Sequence, residues 1–402
     1  MAPPLRVALF TDSFQEANGV ATLSQEYAKH AQRHDIPFCC VYGSNETKSE
    51  TAGSLQTLQL KRGPASFSLG NDLRCDPLLN RHRNHVIRQL QTFRPDLIHI
   101  TGPGDLGILG FWVAHCLRIP LVASWHTNLH EYLGRRLRNA ARVCPATLRN
   151  GTANVIERQS LKALLRFYRL AHFVMAPNQA MVDFLSVETG RPSYLMTHGV
   201  DVTRFSPEKR ASTDHKHFCI GYVGRLCPEK NVTAFVDLEQ QLLAAGQRNF
   251  RLLLVGEGNQ RQWLEKNLKF AELPGVLRGE RLAAAFAGMD VFVFPSQTDT
   301  YGLVLLEAMA SGVPVVITPE ASAHANLDEL CGAMSGNDFV ESLLTLMRSP
   351  ELRQSLGSKA RKAACSRIWS EVFEKLYDTF GQALREPDVL ARIKPATNAA
   401  AG

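Results

Sequence analysis

Two loops in the second half of the sequence carry residue types suited to a phosphorylated ligand. The first follows the apolar run 218–223 and holds Gly224, Arg225 and Lys230 within a few positions. A glycine lets the backbone turn sharply, and guanidinium and ammonium groups have the charge and reach to neutralise a diphosphate. Basic residues in a loop are often simply solvated, but this combination directly after a predicted buried strand favours a phosphate site.

The second loop follows the apolar run 291–294 and leads into a helix predicted from about Gly302 to Gly312. The loop carries one carboxylate, Asp299, and the first turns of the helix carry another, Glu307. Because Glu307 lies in an apolar stretch, burying it without a partner would be costly, so we expect it to face hydroxyl or cationic donors. A structural ion pair is the alternative. The helix N-terminus beside it would also favour a phosphate.

Two positions in the first half also follow predicted strands. Gly19 lies between the first apolar run and a helical pattern, where a tight turn would present backbone amides to a phosphate, although a plain strand-to-helix turn is equally compatible. His126 follows the apolar run 121–125 and could donate a hydrogen bond to a phosphate or sugar oxygen, or act as a base. A lone histidine is more often structural; its place at the end of a strand favours function.

The elements that must position these residues alternate short apolar runs with helical patterns. The runs are residues 6–10, 38–42, 97–100, 121–125 and 173–176, then 218–223, 251–255, 291–294 and 313–317. This βαβ rhythm predicts two Rossmann-like, doubly wound parallel sheets of the α/β class, which bind ligands at the carboxyl ends of their strands.

The alternation of strands and helices begins again after the polar segment 206–216. We therefore predict an N-terminal domain over residues 1–215 and a C-terminal domain over 216–368. The helical stripe at 369–384 must pack on something, and residues 386–402 read as a frayed tail.

Composition excludes several classes of protein. With 402 residues, 45% hydrophobic and 21% charged, the chain is long enough for two globular domains and is neither disordered, collagenous nor a coiled coil. Nine cysteines without zinc-type spacing predict reduced thiols and a cytoplasmic protein. No apolar run approaches the ~20 residues of a membrane span, so neither a signal peptide nor a transmembrane helix is expected.

At these segments the sequence resembles the family 4 glycosyltransferases, retaining enzymes of the GT-B fold in which two Rossmann-like domains face each other across a cleft. The resemblance covers residues 5–385, and its most specific parts are 224–231, 254–258 and 294–314. It implies transfer of a hexose from a UDP- or GDP-linked sugar to a hydroxyl acceptor, with no metal and no further cofactor. It is closest to members that glycosylate lipids, and it implies that the 369–385 helix crosses back to the first domain.

The resemblance also implies roles for individual residues. Gly19 would lie against the donor diphosphate, Arg225 and Lys230 would neutralise it, and Glu307 would bind the ribose hydroxyls. Asp299 stands where the family has a glutamate that contacts the transferred sugar, and His126 matches its active-site histidine. The implied catalytic residues are His126, Arg225, Lys230 and Asp299, and the implied donor-binding residues are Gly19, Gly224, Arg225, Lys230, Asp299, Tyr301, Gly302, Leu303 and Glu307. A second departure from the family is the non-glycine loop 318–325.

A basic helix is predicted within the stretch 130–170, which holds nine lysine and arginine residues against two acidic ones. On a helical wheel, one arc carries the basic residues Arg158, Lys162, Arg166 and Arg169, and roughly opposite lie Leu161, Leu164, Leu165 and Tyr168. The arc predicts contact with an anionic membrane surface, which would suit a lipid acceptor and a peripheral protein at the inner face of the membrane. The alternative is a helix packed on the sheet with its cations in water. Nucleic acid is excluded as a partner because no aromatic interleaving accompanies the arginines.

Other functions stay open at this point. A sugar-nucleotide epimerase could use the same architecture, and a non-catalytic nucleotide-sugar-binding protein could keep the binding residues after losing activity. A dehydrogenase is disfavoured, because the GxGxxG pattern of dinucleotide-binding folds is absent.

Overall fold

The computed structural model describes residues 4–16, 18–68, 74–126, 146–211, 217–296, 301–319, 333–335 and 339–393. Contacts divide the chain into two units, one of Met1–Thr197 with Ser370–Gly402 and one of His198–Trp369. No helix within the described residues is both long enough and apolar enough to span a bilayer.

The first unit alternates strands and helices along the chain. Its strands are β1 (Val7–Thr11), β2 (Phe38–Ser44), β3 (Lys48–Ala52), β4 (Leu55–Lys61), β5 (Phe67–Ser68), β6 (Arg74–Cys75), β7 (Leu97–Ile100), β8 (Leu121–Ser124), β9 (Phe173–Ala176) and β10 (Ser193–Leu195). Its helices are α1 (Gly19–Arg33), α2 (Arg83–Phe93), α3 (Asp105–Leu117), α4 (Ala146–Tyr168) and α5 (Gln179–Thr189).

The main sheet of the first unit has eight strands in the order β10-β9-β8-β7-β1-β2-β4-β3. Every pair is parallel except β3 with β4. The central strands are buried throughout, which is why they read as continuous apolar runs. Sequence reasoning missed β3, whose residues are all exposed, and β4, which is only partly buried, because neither has such a run.

The second unit repeats the pattern. Its strands are β11 (Phe218–Val223), β12 (Phe250–Val255), β13 (Ala271–Gly275), β14 (Val291–Phe294), β15 (Val315–Ile317) and β16 (Ala333–Ser335). Its helices are α6 (Ala234–Ala244), α7 (Arg261–Asn267), α8 (Gly279–Ala287), α9 (Leu303–Ala310), α10 (Phe339–Arg348) and α11 (Pro350–Cys365). The strands form one parallel sheet in the order β13-β12-β11-β14-β15-β16.

The boundary between the units lies earlier than the predicted 215/216, at Thr197 and His198. Val200 and Phe205 are buried in the core of the second unit. The guanidinium of Arg361 donates to the carbonyl oxygens of Val202 and Phe205 at 3.0 and 2.7 Å. The polar segment that suggested the boundary therefore follows residues that already belong to the second unit.

Two helices end the described chain, α12 (Trp369–Ala383) and α13 (Pro387–Ile393). From Ser370 onward this segment belongs to the first unit, where the ring of Phe373 stacks on Tyr27 at 4.8 Å between centroids. The prediction of a frayed tail over 386–402 is wrong for its first part, because α13 forms and Val389 is completely buried. Residues 394–402 lie outside the described residues.

Candidate active site

The two loops singled out in the second unit leave the sheet side by side. They follow β11 and β14, adjacent parallel strands at which the strand order reverses direction. The side-chain amide of Asn231 in the first loop donates to the carbonyl oxygen of Pro295 in the second at 3.4 Å. The carboxyl ends of strands at such a reversal form the crevice where doubly wound sheets bind ligands.

Glycines bring the backbones in this region into direct contact. A Cβ on Gly256 would lie 1.9 Å from the carbonyl oxygen of Gly224, and one on Gly258 would lie 2.2 Å from that of Leu226. The amide of Leu226 also donates to the carbonyl of Glu257 at 2.9 Å. The glycines at 256 and 258 therefore let the 224–231 loop rest on its neighbour, which gives the loop a rigid base.

Arg225 and Lys230 are half-buried on that loop. Lys230 ends a short 3-10 helix, and Asn231 after it turns the chain through a left-handed conformation with φ of 52°. Leu226 between the two cations is completely buried, and Cys227 is nearly so. The loop is thus anchored by its apolar side chains, and the arginine and the lysine share one short, rigid segment.

Glu307 lies on the second turn of α9, whose Leu305, Leu306 and Met309 are buried in the core. No donor among the described residues hydrogen-bonds its carboxylate. Burial raises the pKa of Glu307 to about 8, although the nearby charge of Arg204 acts to lower it. The structural ion pair considered as an alternative is not formed within the described residues, and the carboxyl group can accept a ligand's hydroxyls.

The start of α9 is shaped by Gly302 and Tyr301. Gly302 has φ of 72°, and no side chain caps the helix there. Tyr301 is buried; its hydroxyl donates to the carbonyl of His198 at 3.2 Å and accepts from Arg367 at 2.9 Å, and its ring stacks on His198. Tyr301 therefore fixes the start of α9 within the second unit, and Leu303, the first residue of α9, follows half-buried.

Gly19 begins α1 just beyond β1 in the first unit. The side chain of Asn18 caps the helix by accepting from the amide of Ala21 at 2.9 Å. Gly19 is exposed, and a Cβ built on it would meet no atom within 4 Å. The packing of the unit does not require a glycine here, and the backbone at this helix start is open to the close approach of a ligand.

His126 follows β8 and is surrounded by protein. Burial lowers its pKa to about 4, so the imidazole is neutral at pH 7 and is a weak base. It can exchange hydrogen bonds with a sugar or phosphate oxygen but brings no positive charge. Tyr168 of α4 supports this strand end, because its hydroxyl donates to the carbonyl oxygen of Ser124 at 3.0 Å.

Sequence reasoning missed a pair of carboxyl groups in the first unit, at the reversal between β1 and β7. Asp12 accepts from the amide of Leu106 at 3.0 Å, and Asp105 forms a buried ion pair of 2.6 Å with Arg62. Burial and the negative charge of Asp105 raise the pKa of Asp12 to about 8, so the pair holds a proton at neutral pH. The available signal was that Asp12 comes two positions after the first apolar run.

Some predicted features lie outside the described residues. These are Asp299, residues 320–325 of the non-glycine loop, and the basic residues of the stretch 130–170 that precede residue 146. The roles assigned to them stay predictions.

The basic helix α4 has one face in the core and one in solvent. Leu164, Leu165 and Tyr168 are buried against the first sheet. Arg158, Lys162 and Arg166 are exposed, and none has an ion-pair partner among the described residues. Arg169 lies just past the helix and donates to the carbonyl oxygen of Glu188 at 2.7 Å. The apolar face of α4 thus packs on the sheet, as in an ordinary amphipathic helix, and the three cations on the other face are in solvent.

Comparison with known proteins identifies similar sequences and folds. Residues 217–349 match the model of "Glycosyl transferases group 1", and residues 17–207 match that of "Glycosyltransferase Family 4". A GDP-mannose-dependent alpha-mannosyltransferase of Mycobacterium tuberculosis is 32% identical over 302 residues, which cover 72% of this chain and 74% of the relative. An alpha-monoglucosyldiacylglycerol synthase of Streptococcus pneumoniae is 23% identical over 93% of this chain and 86% of its own.

The fold is shared with solved structures. The sucrose-phosphate synthase of Thermosynechococcus elongatus superposes with a TM-score of 0.70 at 18% identity, covering 94% of this chain and 98% of its own. At this identity the likeness concerns the fold alone.

Proposed function

Since this chain belongs to the family 4 glycosyltransferases, we propose that it transfers a hexose from a nucleotide diphosphate sugar to a lipid or lipid-linked hydroxyl acceptor. The observation that carries the proposal is the second-unit site, where a loop with two cations and a helix with a buried carboxylate follow adjacent strand ends. Among the described residues, no donor hydrogen-bonds that carboxylate. Cations suit the diphosphate, and the carboxylate suits the hydroxyls of the ribose.

The proposed chemistry stabilises the leaving group. As the bond between the sugar and the diphosphate breaks, negative charge grows on the diphosphate, where Arg225, Lys230 and the uncapped amides of α9 would bind it. Charge neutralisation by these groups is the basis for proposing that no metal is needed. Asp299 would hold a hydroxyl of the transferred sugar.

We also propose that the sugar keeps its anomeric configuration. The acceptor oxygen would attack from the face that the diphosphate leaves, and a diphosphate oxygen would take the acceptor's proton. The new bond joins the sugar carbon to the acceptor oxygen, and the nucleoside diphosphate departs with the proton. With a pKa of about 4, His126 is suited to hydrogen bonding with the donor sugar rather than to proton removal near neutral pH.

The first donor to test is GDP-mannose, because the mycobacterial relative is named for it. UDP-linked hexoses are the second choice. The lipid acceptor is supported by the diacylglycerol-glycosylating relative and by the exposed cations of α4. A protein with such an acceptor would work at a membrane surface, and a peripheral place on the cytoplasmic side is part of the proposal.

A panel of UDP-, GDP- and ADP-sugars tests the proposed function without knowledge of the acceptor. One donor is expected to raise the melting temperature, because a ligand that binds only the native state stabilises it, and to be hydrolysed slowly. The readouts are thermal shift and release of nucleoside diphosphate. A shift without release, even with lipid acceptors present, would favour a non-catalytic binding protein. No shift with any donor would contradict the donor site.

The exposed cations of α4 give a separate prediction. Replacing Arg158, Lys162 and Arg166 together by serine is expected to weaken binding to phosphatidylglycerol-containing vesicles about 100-fold at low salt. Each cation near an anionic surface contributes about 1 kcal/mol to binding, and screening by the remaining salt lowers the sum of the three contributions slightly. Donor hydrolysis without vesicles should not change. If the variant binds vesicles as the unchanged protein does in a flotation assay, these cations do not contact the membrane and are only solvated.

A further inference from the structure

Helix α3 has a solvent face of unusual character. After Asp105 at its start, the helix contains no further acidic residue and no lysine or arginine. Its inner side, including Leu106, Leu109 and Val113, is buried in the core of the first unit, whereas Ile108 and Trp112 on the outside remain 44% and 41% exposed. A surface helix normally sets polar residues opposite its apolar stripe. The exposed residues of this outer face are Ile108, Trp112, His115 and Cys116, and of these only the imidazole of His115, whose ring lies 6.4 Å from that of Trp112, is strongly polar. The face is therefore more apolar than contact with water alone would favour.

Helix α3 lies beside α4. A Cβ on Gly107 of α3 would lie 3.8 Å from the ring of Phe167 on α4, so the two helices are neighbours at this point. At about 100° per residue, Ile156 and Ala163 lie on α4 between Phe167 and the basic stripe of Arg158, Lys162 and Arg166. Both are exposed. On the helical wheel, two exposed apolar residues of α4 therefore lie between its contact with α3 and the three cations.

The chemistry of this combined surface fits one occupant, an anionic lipid bilayer. Tryptophan and aliphatic side chains enter the boundary between headgroups and acyl chains, and lysine and arginine beside them attract anionic headgroups. The three cations have no acidic partner among the described residues, so their charge is available to such a surface.

We propose that the outer face of α3 is a lipid-inserted anchor, with Ile108 and Trp112 as the side chains that enter the bilayer and the basic stripe of α4 as its electrostatic complement. The inference rests on the proposed lipid-directed function. α3 begins at the carboxyl edge of the first sheet, and Tyr168 of α4 is hydrogen-bonded to the last residue of β8, two positions before His126. The anchor would thus hold this edge of the first unit near the lipid surface.

The test is vesicle flotation of the full chain with Ile108→Ser and Trp112→Ser combined, at low and high salt. The matched control is Trp263→Gln on α7, because Trp263 is also 41% exposed but lies in the second unit. Burying two such side chains favours binding enough that their loss should weaken it at least tenfold. The loss should persist at high salt, where the cations contribute little. The control variant should bind as the unchanged protein does, and circular dichroism should show both variants folded.

The outcomes separate the anchor from the proposed function. Salt-resistant vesicle binding that needs Ile108 and Trp112 supports the anchor, even if the protein glycosylates no lipid, in which case only the proposed acceptor fails. Equal binding by the double variant and the unchanged protein overturns the anchor, even if lipid glycosylation proceeds. A dimer in solution that the double variant converts to a monomer also overturns it, because a second copy would then cover the face.

Discussion

Replacing Lys230 by alanine is expected to lower kcat/KM for sugar transfer by about 10²–10³-fold, the effect typical of losing one group that stabilises developing negative charge. Both kcat and donor affinity should fall, because the ammonium is proposed to meet the diphosphate in the bound donor and more strongly as the bond breaks. The fold should persist, since Leu226 and Cys227 anchor the loop from the core. The measurement is initial-rate kinetics with the donor found in the panel.

Two further variants make this expectation specific. Lys230→Arg keeps the positive charge and should recover part of the lost rate, although an arginine presents its charge differently. Lys266→Ala removes an exposed lysine on α7 in the same unit and should leave transfer unchanged. If Lys230→Ala turns over at a near-normal rate, the assignment of this loop to the diphosphate is wrong.

Glu307→Gln is expected to weaken donor binding about 10- to 100-fold above pH 8, where the carboxylate of the unchanged protein is ionised and accepts hydroxyl hydrogen bonds most strongly. Donor hydroxyls favour the ionised form, so binding should lower the pKa of Glu307 and release a proton. Affinity in the unchanged protein should therefore rise with pH up to about 8 and then level off. The glutamine variant should lack this rise. Calorimetric titration in buffers of different ionisation enthalpy measures both quantities.

In the absence of ligand, Glu307→Gln is expected to stabilise the folded protein, although it weakens donor binding. Folding raises the pKa of Glu307 from its usual 4.5 to about 8, so the folded protein binds more protons and this group's contribution to stability falls as pH rises through that interval. Glu307→Gln removes the cost of the buried charge. It should therefore raise the melting temperature at about pH 9, with the difference shrinking towards pH 4.5.

The exposed Glu208 provides the matched control, since Glu208→Gln should alter neither donor affinity nor the pH dependence of stability. A Glu307→Gln variant with normal donor affinity across the pH range would exclude Glu307 from the donor site. A variant less stable than the unchanged protein at alkaline pH would mean that the carboxylate has a structural partner.

Local sequence determined which segments become central strands and which residues follow them. The strands predicted over 97–100, 173–176, 218–223 and 291–294 form with those bounds, because strands buried on both faces need continuous apolar runs that stand out in the sequence. Glu307 was recognisable because an unpaired carboxylate in an apolar stretch is costly to bury. Arg225 and Lys230 were recognisable because they follow a predicted buried strand together with Gly224. The resemblance to the glycosyltransferase family rests on the same segments.

The tertiary structure alone decided which strand ends lie together. Strand order depends on pairing between distant segments, so nothing local reveals that β11 adjoins β14 or that β1 adjoins β7. That order pairs Asp12 with Asp105, two carboxyl groups far apart in the sequence. It also sets how much water each group loses, which keeps His126 neutral and raises the pKa of Glu307. Residue type supplies the chemical groups, whereas burial and neighbouring charge, which exist only after folding, set their protonation states.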